Sequence, residues 1–91
     1  MEVTENAAAH RFEITVDGEV AGFAQYKRGE DGTLTFTHTE VDDAYEGRGV
    51  GSSLVRGALD AARAEGARVV PLCPFVRAYI DRHAEYADLV A

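Results

Sequence analysis

Cysteine occurs once in this chain of 91 residues, at Cys73, so no internal disulfide can form and the sequence suits a reducing compartment. No apolar run approaches the roughly 20 residues that a membrane-spanning helix needs. The first residues also carry neither a basic segment nor an apolar stretch of the signal-peptide kind. The expectation is a cytoplasmic protein that makes no contact with membranes. Basic residues are scarce as well, nine Lys and Arg against sixteen Asp and Glu for a net charge of −7. Such a surface repels nucleic acid and anionic lipid and accommodates an amine-bearing partner more readily. Histidine is confined to His10, His38 and His83, far apart and away from Cys73, so no metal-ligand spacing exists and no metal is expected.

What is present is an ordinary globular composition, 46% hydrophobic and 27% charged, with length for one modest core. Residues 1–9 read as a flexible N-terminus and 10–91 as a single domain. Phe12, Ile14 and Val16 alternate with polar neighbours, the period of a half-buried strand, and Asp17-Gly18 supplies a hairpin turn. Val20 to Arg28 is a second strand ending in the turn cluster Gly29-Glu30-Asp31-Gly32. Thr33 to Val41 is a third, with Leu34, Phe36, His38 and Glu40 on one face and the odd-numbered residues on the other. That face turns polar just before a glycine-rich loop, which places His38 and Glu40 near whatever the loop binds.

The loop is Glu46-Gly47-Arg48-Gly49-Val50-Gly51-Ser52-Ser53, and it runs into a helix on which Leu54, Val55, Ala58, Leu59 and Ala62 keep helical spacing. The first amides of a helix lack internal partners and sit at the positive end of the aligned peptide dipoles, so a phosphate can be held without a lysine. Glycines let the backbone approach closely, and the serine hydroxyls add donors. Nucleotide hydrolysis is poorly supported, because Gly51 is followed by Ser52-Ser53 and the P-loop lysine is missing. A dinucleotide fold also fits badly, since three strands with antiparallel-type turns precede the loop in a short chain.

Gly66 stops the helix, and Arg68 to Leu72 reads as a short buried strand, parallel to the third, that loses regular pairing at Pro71. Pro74 then suits the first turn of a last helix, where Phe75 with Tyr79 and Val76 with Ile80 form pairs on one buried face. Cys73 at the helix entrance admits two readings, a thiol activated by the helix dipole or a small buried hydrophobe. The segment from His83 to Val90 packs across an edge.

An antiparallel β-meander, a Gly-rich loop with its helix, a parallel strand and a C-terminal helix make an α+β (α/β mixed sheet) fold that resembles the GNAT superfamily of acetyl-CoA-dependent N-acetyltransferases. Gly49-Val50-Gly51 matches that superfamily's signature, with Glu46 in place of the usual Gln or Arg. His38-Thr39-Glu40-Val41, the loop, and Pro71-Leu72-Cys73-Pro74-Phe75-Val76 with Tyr79 are similar to the small single-domain GNAT-like proteins, over roughly residues 10–90. Ala84 stands where most of these have proline.

The resemblance implies that Gly47, Arg48, Gly49, Val50, Gly51, Ser52 and Ser53 cradle the pyrophosphate of acetyl-CoA, or of coenzyme A itself. It also implies that the strand end at Val41 pairs with the pantetheine arm. The implied activity is acetyl transfer to an amine of a small molecule or a protein, with Glu40 or His38 as base and Tyr79 as general acid. A covalent route through Cys73, with His38 as its base, is the second mechanism. The alternatives to an enzyme are a non-catalytic coenzyme A-binding module or partner subunit, or a redox-sensing thiol protein. A homo-oligomer is compatible with all of them.

Overall fold

A computed structural model describes residues 1–91. Strands β1 (Glu2–Asn6), β2 (Arg11–Val16), β3 (Glu19–Arg28) and β4 (Leu34–Val41) form an antiparallel meander, and β5 (Val69–Pro71) joins β4 in parallel, giving the order β1-β2-β3-β4-β5. Helix α1 (Val50–Ala64) makes the crossover between β4 and β5; α2 (Pro74–Arg82) and a 3-10 stretch at Ala84–Leu89 follow. The mixed sheet with antiparallel and parallel members is the α+β architecture expected.

Local chemistry explains these elements. Asp17 and Gly18 both adopt positive φ, 52° and 81°, which closes the β2–β3 hairpin with the twist two-residue turns favour. Val50, Leu54, Val55, Ala58, Leu59 and Ala62 all point inward from α1, and a side chain such as Leu54 or Leu59, fully buried, contributes roughly 1.5–3 kcal/mol. The helix stops at Gly66 (φ 74°): its amide bonds to the Arg63 carbonyl and that of Ala67 to Ala62, satisfying carbonyls the helix leaves open. Buried residues of β2, β3 and β4 share one core with those of α1 and α2, so the helices cover one face of the sheet. Arg11, Glu13, Thr15, Phe23, Gln25 and Thr35 occupy the other face and none is buried.

Two expectations are corrected. Residues 1–9, read as a flexible arm, instead hold β1, paired with β2 from Glu2↔Thr15 to Asn6↔Arg11, and a 3-10 turn at Ala7–Ala9. Only Val3 of β1 is an apolar anchor, packed against α1 where Gly57 leaves room for it, and the rest is held by polar ties that hydropathy does not reveal. Tyr26 donates to the Glu5 carboxylate, and Arg28 bridges Glu5 to Glu65 at the end of α1. Phe75 is not on the buried face of α2: it is 42% exposed, while Val76, Tyr79 and Ile80 face the core.

The C-terminal segment is pinned by Tyr86, whose buried hydroxyl donates to Asp60 Oδ1 at 2.6 Å. Burial first, and that hydrogen bond second, push the Tyr86 phenol up to about 12 from 10.0. A folded value above the unfolded one makes this contribution complete below about pH 10 and lost as pH rises through about 12. Tyr86→Phe is therefore expected to lower stability by about 1–2 kcal/mol at neutral pH. Urea unfolding should show the deficit shrinking from about pH 10 to about 12, as the phenol ionises in the unfolded state.

Candidate functional site

The β3–β4 ladder contains an irregularity that decides which side chains can meet. Tyr26 pairs with Phe36 but Gln25 with His38, so Thr37 is an extra residue on β4, a β-bulge. Before it, the even residues Leu34 and Phe36 face the helices; beyond it the phase is reversed. Thr39, opposite buried Ala24, now faces the helix side, and Val41 follows it. His38 and Glu40 are turned to the open face, with side chains 56% and 62% exposed, His38 lying beside Phe23. The sequence reading sets them near whatever the loop binds; because one inserted residue inverts strand alternation, they lie at the end of β4 on the sheet face opposite the helices. His38 Nε2 lies 3.8 Å from Glu40 Oε1, an ion pair only when the imidazole is protonated.

Beyond the bulge β4 also loses its neighbour. Pairing with β5 ends at Phe36↔Pro71, where the Phe36 carbonyl accepts from the Cys73 amide at 2.9 Å. The Asp42 amide bonds to Ala21 on β3 at 2.8 Å, so by strand alternation Thr39 and Val41 turn their own amides and carbonyls to the opposite edge. No strand lies there. A short free edge results, ready to pair with an extended group.

Next to this edge stands the glycine loop. Gly47 and Gly49 have φ of 77° and 72°, a conformation glycine adopts without cost, and a Cβ at either would meet nothing within 4 Å. Gly49 is the N-cap of α1 and supplies no side-chain cap. The amides of Gly47, Arg48, Gly49, Val50, Gly51 and Ser52 have no acceptor elsewhere in the chain. Ser53 departs from expectation: its amide bonds to the Gly49 carbonyl at 3.1 Å, the first hydrogen bond of the helix, and is spent. The Arg48 guanidinium lies over the Tyr45 ring at 5.4 Å.

A groove of about 350 Å³ joins the edge to the loop, lined by Thr39, Val41 and Tyr45, by Glu46, Gly47 and Gly49 to Ser52, and by Phe75, with Arg48 outside the lining. The phenyl group of Phe75 roofs the first turn of α1 so closely that a Cβ on Gly51 would come 2.8 Å from its Cζ. Val41 also borders a second, larger hollow of about 470 Å³ on the open side, with Glu40, Asp42 and Asp43. The smaller groove is the candidate site, since the unpaired amides of the glycine loop line it. Those donors and the Cβ-free glycines fit a diphosphate, and the strand edge fits an amide-bearing chain.

Cys73 caps α2 and is 5% exposed; its Sγ donates to Thr39 Oγ1 at 3.4 Å. Its predicted partner His38 is on the other side of the sheet. Tyr79 is likewise not brought to the groove: it is buried, stacked on His83 at 3.9 Å and near Tyr86, and burial raises its pKa. Thr39, Tyr45 and Phe75 are lining residues that sequence reasoning missed. Thr39 becomes visible only with the bulge, and Phe75 only once Gly51 is seen beneath it. No helix is long and apolar enough to cross a membrane.

Comparison with known proteins agrees with this geometry. No curated protein sequence matches the chain. Its fold is similar to the solution structure of a GCN5-like protein from Staphylococcus aureus, with a TM-score of 0.73, 21% identity, and coverage of 99% of this chain and 87% of that one. It is also similar to the crystal structure of ribosomal-protein-alanine N-acetyltransferase from Brucella melitensis biovar Abortus 2308. There the TM-score is 0.55 at 22% identity, covering 96% of this chain and 66% of that one. Residues 11–89 match the family described as GCN5-related N-acetyl-transferase, a span that includes β2 to β5, the glycine loop and both helices. The chain therefore belongs to the GCN5-related N-acetyltransferase family of acetyltransferase enzymes.

Proposed function

We propose that this chain binds acetyl-CoA along the groove and transfers the acetyl group to an amine by direct attack. The observation that carries this reading is the continuity of unpaired donors, from the Gly47–Ser52 amides to the free edge at Thr39 and Val41. The loop amides and the positive end of α1 would hold the pyrophosphate. The β4 edge would pair with the pantetheine amides as an added strand, and the Val41 amide would polarise the thioester carbonyl, as an oxyanion donor does.

The acceptor amine would approach from the opposite face of the sheet, where the bulge has placed Glu40 and His38 next to the end of β4. Glu40, directly or through water, would take the proton that the amine loses. Direct attack is preferred over a Cys73-acetyl route because the thiol's partner is the Thr39 hydroxyl, too weak a base to activate it, while the imidazole faces away.

Calorimetry with coenzyme A tests the seat. Binding is expected, weakening with added salt as a diphosphate contact should, and thiol release from acetyl-CoA should follow on adding an amine. Absence of measurable affinity at millimolar coenzyme A would overturn the reading.

A further inference from the structure

Resting on the coenzyme seat proposed above, we infer that Thr39 and Cys73 form a proton relay that protonates the departing coenzyme thiolate. Thr39 lines the groove and Cys73 does not, yet the two touch through the Cys73 Sγ to Thr39 Oγ1 hydrogen bond of 3.4 Å. With the thiol as donor, the hydroxyl oxygen is occupied as acceptor and its own hydrogen is free to point elsewhere; no other partner engages it. Because Thr39 lines the groove, that hydrogen can be directed into it. The bulge at Thr37 is what brings this hydroxyl, rather than the imidazole of His38, to the helix side. The hydroxyl also sits on the short free edge of β4, where strand pairing would lay the pantetheine sulfur as the arm enters the gap between β4 and β5.

The proton balance closes. The amine nitrogen forms its bond to the acyl carbon and gives a proton to Glu40 or water. The carbon–sulfur bond breaks with its electron pair left on the coenzyme sulfur. Thr39 Oγ1 passes its hydrogen to that sulfur and takes the Cys73 thiol hydrogen in its place. Cys73, left as thiolate, recovers a proton from water. Donor and acceptor at the two ends of the relay are both alkyl-thiol sulfurs, so the sequence asks for no acid stronger than a thiol. The phenol of Tyr79 is buried and outside the groove, so it is not placed for this role.

The test compares Thr39→Val, Thr39→Ser and Cys73→Ala with the wild type in calorimetry and steady-state turnover. Thr39→Val keeps shape and loses only the hydroxyl. A fall in kcat of about 10- to 100-fold is expected, with coenzyme A Kd and acetyl-CoA KM unchanged. Thr39→Ser should recover most of the rate. Cys73→Ala should lose as much as Thr39→Val, and the double variant no more than either, because a relay fails once. Full activity in Thr39→Val or Cys73→Ala overturns the relay, and so does equal loss in Thr39→Val and Thr39→Ser. An acetyl adduct on Cys73, seen by intact mass spectrometry, would also overturn it by giving the thiol a nucleophilic role. These results leave the coenzyme seat standing; a wild type that binds no coenzyme A removes both.

Discussion

Replacing Gly49 with aspartate is expected to abolish coenzyme A binding while leaving the fold in place, the largest functional effect foreseen for a single substitution. Gly49 is the N-cap of α1, has φ of 72°, and has open space where a Cβ would be. Aspartate tolerates that left-handed conformation better than most residues, and a negative charge at a helix N-terminus is itself favourable. The same charge would occupy the proposed diphosphate seat. At about 4 Å two unit charges repel by roughly 1 kcal/mol in water and about 4 kcal/mol at a protein surface. Against a diphosphate the loss should reach at least about 100-fold in Kd, or about 2.7 kcal/mol. Gly49→Asn carries the same backbone strain without the charge and should lose only a small part of the affinity. Calorimetry on both variants, with melting curves alongside, separates the terms. Equal affinities for Gly49→Asp and wild type would place the diphosphate elsewhere.

Much of this site was legible because glycine and proline act through the backbone. The alternation of Phe12, Ile14 and Val16, the spacing of Leu54, Val55, Ala58 and Leu59, and the glycines at 47, 49 and 51 each state a local rule that the structure obeys. What stayed hidden depends on partners distant in sequence. The bulge at Thr37 leaves no local signature, since it exists only in the register of β4 against β3, and it exchanges the roles of His38 and Thr39. β1 was hidden because beyond Val3 it carries no hydrophobic period; its ladder with β2 is accompanied by Glu5 reaching Tyr26 and Arg28. Phe75 followed its helix period on paper, but the first turn of α2 meets the first turn of α1, and the ring is drawn onto Gly51 instead of the core.

Gly22 shows how a residue outside the groove can govern it. It pairs with Val41, and a Cβ built on it would lie 2.5 Å from the Glu40 carbonyl oxygen and 3.2 Å from the Val41 Cα. The colliding atoms are backbone, which cannot rotate away as a side-chain tip can, so Gly22→Ala must part β3 from β4 at the strand end that carries the free edge. Overpacking of this kind costs about 1–3 kcal/mol, and in a domain of this size each kcal/mol lowers Tm by roughly 4–8 °C. The same displacement moves the Val41 amide away from the proposed seat of the thioester carbonyl, where a misplacement of about 1 Å can cost 100-fold in rate. Gly22→Ala is therefore expected to melt several degrees lower and to lose about 10- to 100-fold in kcat/KM, even at temperatures where it is fully folded. Retained turnover alongside a lowered Tm would detach catalysis from the end of β4. An unchanged Tm would mean that the two strands do not approach as closely as the Gly22–Glu40 contact requires.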